Sequence, residues 1–304
     1  MFGETIKSIR ESKNMTLKEA AGDALSISQL SRFENGKSTI SVDRFYAILN
    51  NLNTTTEEFN YIKGSEKTSE MKDILNRIEK YNNNEELDQL RQLRAEIQAS
   101  RPTAYSWRQF LIYFIDSILS IYDSEEIHTQ SQGPVLDYLM QVDDWGEMEL
   151  RLYAMFGFIF DIETTHFLMR TALKRSKQYL AIPASGRLLY VILSNNFSTF
   201  LAAGNLDYAK ETIQLFETNY AKNTDSLRPH IDFMFNKGLL AFKKNQPDKG
   251  IEYCENAIKV CQMFHQTEKE KKYQERYDKW RVNYKNPEYK ELTIQVGFID
   301  TDIG

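Results

Sequence analysis

Apolar residues recur along most of this chain at intervals of three and four positions, which is the period of an α-helix rather than the alternation of a β-strand. Phe45, Ile48, Leu49 and Leu52, for example, fall on one face of a single predicted helix. Glycine and proline, which interrupt helices, account for only 13 and 6 of the 304 residues. The pattern therefore predicts an all-α protein without a series of β-hairpins.

The first 63 residues are predicted to form five short helices. Thr16 and Glu19 have the spacing of a capping box, in which each side chain bonds the backbone N–H of the other residue. Helix-start residues also precede the next three helices: Ser26 or Ile27, Ser41, and Thr55 or Thr56. Gly36 is expected to end the third helix.

A polar stretch follows this first domain, and helical periodicity then resumes. The predicted divisions are a domain of residues 1–63, a linker of residues 64–70, a helical-repeat domain of residues 71–284 and a tail of residues 285–304. Two stretches beginning at Asn196 and Asn236 resemble each other, and Ala209 and Gly250 provide a small residue in the second helix of each. Their offset lies within the range of helical-hairpin repeats, about 34 to 47 residues, which stack to form a concave surface.

The second and third helices have the order and length of a helix-turn-helix. In that motif the second helix enters the major groove of DNA with its N-terminal residues toward the bases. Leu30 and Phe33 are expected to point into the core. Ser28, Gln29 and Arg32 then point outward. Glutamine can bond adenine and arginine can bond guanine through paired hydrogen bonds, although Arg32 could instead hold a phosphate.

Residues around this helix suit the DNA backbone, where ammonium groups and free backbone N–H groups bind phosphate. The predicted contacts are Asn35, Lys37 and Ser38 in the following loop, with Lys7 and Arg10 on the first helix. Glu34 is expected to pair with an arginine of its own domain. The alternative is that these polar residues only form a solvated helix face.

Composition restricts the other functions. The net charge of −5 shows no overall basic excess, so DNA binding would have to rest on a local surface. Cys254 and Cys261 lie seven apart, without metal-binding spacing, and the four histidines are scattered, so we expect no metal or other cofactor. Common nucleotide-binding, hydrolase and zinc-protease motifs are absent, and we expect no enzyme. The acid- and histidine-containing stretches 161–166 and 123–128 are expected to be helix caps.

Targeting signals are also absent from the sequence. No apolar run approaches the roughly 20 residues of a membrane span. The N-terminus has charged residues among its apolar ones and lacks the apolar core of a secretion signal. These observations favour a cytoplasmic protein that does not enter the membrane.

Three N-terminal stretches carry a family likeness: IRESKNMTLKEAA from Ile9, LSISQLSRFENGKSTIS from Leu25 and FYAILNNLNTTTEEF from Phe45. They resemble the lambda-repressor-like helix-turn-helix domain of the xenobiotic-response-element class. The second stretch, together with VDDWGEMEL at Val142–Leu150, closely resembles the Rgg (MutR/GadR-like) transcriptional regulators of Gram-positive cocci.

This resemblance implies a cytoplasmic homodimer that binds double-stranded promoter DNA, with a second domain similar to tetratricopeptide repeats. Many such regulators bind a short hydrophobic peptide pheromone on the concave face, and others have no established ligand. Some members join their two DNA-binding domains by a disulfide from a cysteine just after the recognition helix. Val42 stands at that place here, and residues 1–63 contain no cysteine, so this disulfide is excluded.

The repeat domain also contains candidate peptide-binding residues. An extended peptide needs hydrogen-bond donors and acceptors along its backbone, and an asparagine amide supplies both. The candidates are Asn196 and Asn236 at equivalent repeat positions, Asn195 beside them, Tyr190, Phe197, Phe233 and Tyr153 for apolar pockets, and Arg151 for a peptide carboxylate. The alternatives are that the aromatic rings are core, Asn196 makes a cap or buried hydrogen bond, and Arg151 forms a surface ion pair.

The sequence thus predicts a homodimeric DNA-binding regulator controlled by a hydrophobic signalling peptide, as in quorum sensing. In a first alternative, the repeats serve only dimerisation or contact with another protein, and no peptide binds. In a second, the protein is a repeat scaffold or toxin-neutralising protein whose helix-turn-helix no longer binds DNA.

Overall fold

The computed structural model describes residues 2–64, 70–122, 132–220, 226–286 and 288–291. Every regular element within these ranges is helical, as predicted. The chain divides into two compact units, Met1–Arg77 and Ile78–Gly304. The predicted domain boundaries near residues 63 and 71 lie before this division and stay predictions.

The first unit contains the five predicted short helices. They are α1 (Phe2–Ser12), α2 (Leu17–Ala21), α3 (Ile27–Glu34), α4 (Val42–Asn51) and α5 (Thr56–Lys63), and α6 (Glu70–Asn83) contains the division between the units. Thr16, Ser26, Ser41 and Thr55 each accept a hydrogen bond from the backbone N–H three residues on. The predicted helix starts are therefore confirmed.

The core of the first unit lies among these short helices, because α1 packs on α3 and α5 while α2 packs on α3 and α4. Leu30 and Phe33, the predicted inward residues of α3, are both buried in this core. Three aromatic rings, those of Phe2, Phe45 and Phe59, contact one another at its edge, with centroids 4.9–5.8 Å apart. This packing fixes which face of α3 remains outside.

The second unit is a series of helical hairpins. Its helices are α7 (Leu87–Ala99), α8 (Trp107–Tyr122), α9 (Gln132–Gln141), α10 (Glu147–Phe156), α11 (Ile162–Arg175), α12 (Pro183–Ala202), α13 (Leu206–Leu215), α14 (Leu227–Lys243), α15 (Pro247–Met263) and α16 (Thr267–Asn283). Helices α12 and α13 pack as a hairpin, as do α14 and α15. The helices α10, α12, α14 and α16 also contact one another in that order, so the hairpins form a stack.

The two similar stretches of sequence correspond to the two central hairpins of this stack. Helices α12 and α14 are buried over most of their circumference, because each is covered by its hairpin partner and by the preceding and following first helices. Ala209 and Gly250 are both buried in the second helices of these hairpins, as the repeat pattern predicts.

Other features of the described ranges bear on function. No helix there is long and apolar enough to cross a membrane, and no three His, Cys, Asp or Glu side chains there are grouped to hold a metal ion. Asp161 caps α11 by accepting from the backbone N–H of Thr164 at 2.7 Å, as predicted for stretch 161–166. Stretch 123–128 and the tail beyond residue 291 lie outside the described residues.

Candidate nucleic-acid interface and ligand face

A buried ion pair joins α3 to α1. Glu34, which is 2% exposed, accepts from Nε and Nη2 of Arg10, both at 2.8 Å. Arg10 also donates from Nη1 to the Met15 carbonyl at 3.0 Å. The hydrogen bonds to Glu34 raise the pKa of the Arg10 guanidinium above its ordinary value. The predicted pairing of Glu34 with an arginine of its own domain is therefore confirmed.

This ion pair corrects the expectation that Arg10 holds the DNA strand. The Arg10 side chain is only 11% exposed, and its guanidinium is occupied by the carboxylate of Glu34 and a carbonyl. A DNA contact would require breaking a charge-assisted pair with two parallel hydrogen bonds. Arg10 therefore positions α3, and its guanidinium is not free to bind a phosphate.

The turn between α2 and α3 is held by α4. Asn51 donates from Nδ2 to the carbonyl of Ala20 at 3.0 Å, just before the turn. Gly22 adopts a φ of +48°, and a Cβ there would lie 2.6 Å from Asn51 Nδ2. The close approach and the left-handed backbone conformation both require glycine. The helix-turn-helix angle is thus fixed by contacts outside the motif.

The outward face of α3 carries the predicted residues, but part of it is occupied by the helix cap. Ser28, Gln29 and Arg32 are exposed. Gln29 Oε1 accepts from the backbone N–H of Ser26 at 3.1 Å, and Ser28 Oγ lies 3.1 Å from Ser26 Oγ. In this conformation Gln29 can still donate, but the cap uses one of the two lone pairs of its Oε1. Paired bonding to adenine would therefore have to share that oxygen with the Ser26 N–H. The spacing Ser26-x-x-Gln29 is itself a capping-box pattern, and it was a sequence signal for this arrangement.

Two exposed cations, one near the C-terminal end of α3 and one in the loop that follows, are not engaged by the helix cap. The side chains of Arg32 and Lys37 make no hydrogen bond or ion pair with any described residue. Lys7 and Ser38 are half-buried, and Asn35 donates from Nδ2 to the carbonyl of Ser31 at 2.7 Å. Arg32 and Lys37 are therefore the cations among the predicted DNA contacts that are both exposed and without a side-chain partner in the described residues.

Arg44 is a further exposed cation that the sequence reasoning missed. It lies in the first turn of α4, directly after the loop that carries Lys37 and Ser38. Residues 1–63 contain eight Lys or Arg and eight Asp or Glu, so a basic surface must come from local placement. The predicted helix start at Ser41 already places Arg44 in the first turn of α4, but the recognition-helix motif ends before it and so did not indicate it as a DNA contact.

Four of the predicted peptide contacts lie in the interior of the second unit. Asn196 donates to the Tyr153 hydroxyl at 2.7 Å, and that hydroxyl donates to the Thr165 carbonyl at 2.7 Å. Burial raises the pKa of Tyr153 far above its ordinary value. Phe197 is fully buried and Phe233 stacks on Phe216 with centroids 3.8 Å apart. We correct the prediction for these four residues, because each of these side chains is buried and contacts neighbouring helices.

Tyr190 belongs to a polar cluster that no sequence motif indicated. Its hydroxyl donates to the buried carboxylate of Asp232 on α14, which also accepts from the Tyr273 hydroxyl. Lys269 Nζ lies 2.6 Å from the same carboxylate. The cluster joins α12, α14 and α16, so Tyr190 forms a hydrogen bond between helices and not the expected apolar pocket.

Asn236 differs from the other candidates. It is 6% exposed, and its side-chain amide makes no hydrogen bond with any described residue. The amide is not among the fully buried side-chain atoms that lack a partner, so water or a ligand can still reach it. Arg151 pairs with Glu147 at 2.6 Å, as the ion-pair alternative expected, and Asn195 is buried on α12 with interactions of its own. Asn236 is therefore the predicted contact that the structure leaves best suited to a ligand.

The fold and the exposed cationic end of α3 define a helix-turn-helix transcriptional regulator with a helical-repeat domain. A family model described as "HTH-type transcriptional regulator Rgg, C-terminal domain" matches residues 90–275, which is more than half of the chain. A model described as "Helix-turn-helix" matches residues 6–59. The chain belongs to the Rgg family of transcriptional regulators.

Solved structures share this fold over nearly the whole chain. The SHP pheromone receptor Rgg2 of Streptococcus dysgalactiae is 23% identical, with a TM-score of 0.74 over 92% of this chain and 99% of that one. A putative transcriptional regulator from Listeria monocytogenes EGD-e is 20% identical, with a TM-score of 0.78 over 93% and 97%. The PrgX/cCF10 complex is 15% identical, with a TM-score of 0.70 over 93% and 99%. At these identities the likeness concerns the fold.

Proposed function

We propose that this protein is a cytoplasmic homodimer that binds double-stranded promoter DNA through α3 and the following loop. The observation that carries the proposal is the pair of exposed cations, Arg32 and Lys37, which have no partner among the described residues. They lie at the end of a helix that the Arg10–Glu34 ion pair holds in place. Cations free of internal partners and mounted on a rigid element are what DNA contacts require.

The proposed contacts have separate roles. Arg32 bonds a guanine edge or holds a phosphate, whereas Lys37 and Arg44 bind phosphates. Lys7, Asn35 and Ser38 lie at the margin of this surface. Two copies of the chain would read half-sites separated by about 34–36 Å, one turn of the double helix, or a multiple of it. The operator is therefore expected to be a near-palindrome.

Selection from a random duplex library with the full-length protein tests DNA binding. We expect a palindromic sequence to be enriched, and its affinity to fall linearly with salt on logarithmic axes as condensed counterions are released. Lys37→Ala should lower the magnitude of this slope by about two for the dimer, because each copy of the chain loses one phosphate contact. Lys279→Ala, the same change at an exposed position of α16, should leave the slope unchanged. No enrichment and no salt dependence would favour the scaffold alternative.

We further propose that the helical stack binds a short hydrophobic peptide and that Asn236 bonds its backbone. The unpaired amide of Asn236 supports this proposal. The proposal is also supported by the fold that this chain shares with structures described as a pheromone receptor and as a PrgX/cCF10 complex. Peptide binding would then change the activity of the DNA-bound dimer.

A matched pair of asparagine variants tests the peptide proposal. In calorimetric titrations with synthetic peptides encoded by small reading frames beside this gene, Asn236→Ala should weaken binding by tenfold or more at an unchanged melting temperature. Asn196→Ala should instead lower the melting temperature, because it leaves the Tyr153 hydroxyl with one bond fewer in the interior. If no peptide releases heat with the unsubstituted protein, the repeats serve dimerisation or another protein.

A further inference from the structure

Ile27 is a large apolar residue at the N-terminal end of the recognition helix. It is the first residue of α3 and is 49% exposed. The core of the first unit includes Leu30 and Phe33 from the same helix but not Ile27. In a helix-turn-helix this end of the second helix approaches the base edges. Ile27 therefore places apolar surface where the sequence motif led us to expect only polar contacts.

The polar neighbours of Ile27 are engaged in the helix cap. Ser26 Oγ accepts from the backbone N–H of Gln29 at 3.2 Å, and Gln29 Oε1 accepts from the backbone N–H of Ser26. Ser28 Oγ lies within hydrogen-bond distance of Ser26 Oγ. The cap thus restrains three side chains of the first turn and leaves Ile27 beside them without a packing role in the core. A β-branched side chain in a helix also has few rotamers, so little entropy is lost when it makes an ordered contact.

We infer that Ile27 contacts the 5-methyl group of a thymine in each half-site of the operator, an inference that rests on the proposed DNA binding. Among the four base edges in the major groove, thymine is the one that presents a methyl group, and apolar side chains recognise it. The remaining edges present hydrogen-bonding groups, which an isoleucine would desolvate without a partner. Burying one methyl group corresponds to about a fourfold change in affinity.

Replacing thymine by uracil tests this inference, because uracil removes only the methyl group and keeps the base pairing. Each thymine of the selected operator is replaced in turn, and the affinity of the full-length protein is measured by fluorescence anisotropy. We expect one thymine per half-site whose replacement weakens binding by about fourfold. With Ile27→Ala, the same replacement should change the affinity by less than twofold, because the side chain that senses the methyl group is gone.

Ile62→Ala is the matched control. Ile62 lies on α5 and is 51% exposed, so the substitution removes the same atoms from an equally exposed position. The uracil effect should persist in this variant, and thermal melts should show all three proteins folded. The inference is overturned if no uracil replacement weakens binding, or if the effect is as large with Ile27→Ala as without it. Failure of the proposed function looks different, since no operator would then be enriched.

Discussion

Glu34 and Arg10 determine, at the scale of single residues, which side of the recognition helix is available to DNA. A carboxylate that is almost fully buried is tolerated only when it is paired and hydrogen-bonded, and Arg10 satisfies both of its oxygens. The same contact removes Arg10 from the DNA-facing cations. One ion pair thus orients α3 and excludes Arg10 from the proposed DNA contacts.

Removing the Glu34 carboxylate should loosen α3. Glu34→Ala leaves the Arg10 guanidinium without its buried partner, which costs about 3–5 kcal/mol in comparable pairs. Backbone amides of α1 and α3 should then exchange with solvent roughly 100- to 4,000-fold faster in hydrogen-exchange mass spectrometry. Glu11→Ala is the control, because Glu11 also contacts Arg10, at 3.4 Å, but is exposed. Equal effects of the two substitutions would show that the buried pair does not hold the helix.

The two cysteines should be unreactive in the folded protein. Both are buried, and burial raises the pKa of Cys254 to about 12 and raises that of Cys261. At pH 8 the Cys254 thiol then remains protonated, and the thiolate is the form that reacts. We expect Ellman's reagent to detect no thiol at pH 8 until denaturant is added, and two thereafter. A thiol that reacts at once in the native protein would contradict this burial.

The raised thiol pKa also sets a direction for stability against pH. The folded protein holds the Cys254 proton to higher pH than the unfolded chain does. Its contribution to stability is therefore complete below the ordinary thiol pKa of about 9 and is lost as the pH rises toward 12. Cys254→Ala should remove this part of the alkaline loss of stability in denaturant titrations between pH 8 and pH 11.

The sequence predicted which side chains point inward or outward, but it did not predict which outward side chains are already bonded to other residues of the protein. Helical spacing correctly placed Leu30 and Phe33 inward and Arg32 outward. Spacing does not show that Glu34 engages Arg10, because that ion pair joins residues 24 positions apart. The capping-box spacing of Ser26 and Gln29 is visible in the sequence, but it was not used to assign the Gln29 side chain to the cap. Ile27 was overlooked for a related reason: a cap position was expected there.

At the scale of helices, α14 and α15 form a hairpin in which the two helix backbones approach each other closely. Gly238 on α14 approaches Cys254 and the Gly250 carbonyl on α15 so closely that a Cβ would overlap the Cys254 sulfur and lie 2.9 Å from that carbonyl oxygen. A Cβ at Gly250 would lie 2.8 Å from the Phe242 ring. Two glycines thus allow the helix backbones to meet.

Gly238→Ala should therefore destabilise the second unit, although alanine favours helices by about 1 kcal/mol relative to glycine. Overpacking of this kind costs about 1–3 kcal/mol, and it should lower the melting temperature. Gly186→Ala on α12 is the control, because a Cβ there meets only the Leu180 carbonyl oxygen at an ordinary 3.7 Å. That substitution should leave the melting temperature unchanged or raise it. Equal melting temperatures of the two variants would show that Gly238 is not needed for the close approach of α14 and α15.

The order and the starts of the helices could be predicted from local sequence patterns. Which side chains of α12 and α14 are accessible to a ligand could not. Serine and threonine caps depend on residues three positions apart, so sequence reasoning located them well. Whether an asparagine on α12 or α14 faces a ligand depends on how neighbouring hairpins cover it. Asn196 and Asn236 occupy equivalent repeat positions, yet only Asn196 bonds a tyrosine from α10.

At the scale of the whole molecule, the proposed function assigns DNA binding to the first unit and peptide binding to the helical stack. DNA binding was predicted from the helix-turn-helix motif, and peptide binding was predicted mainly from the family resemblance. The net charge of −5 gives no general attraction to DNA, so affinity must come from a few placed cations. Under the proposed function, single residues of the α3 surface should then have large effects, and Arg32 is an exposed one whose side chain has no partner among the described residues.

The affinity of Arg32→Ala for the selected operator, measured by gel shift at fixed salt, tests the central claim most directly. Loss of a specific arginine contact to a base costs about 1–3 kcal/mol, so binding should weaken by roughly 5- to 150-fold in each half-site while the melting temperature stays the same. Arg281→Ala, an exposed arginine on α16, should bind as the unsubstituted protein does. If Arg32→Ala binds the operator with unchanged affinity, α3 is not the helix that reads the DNA.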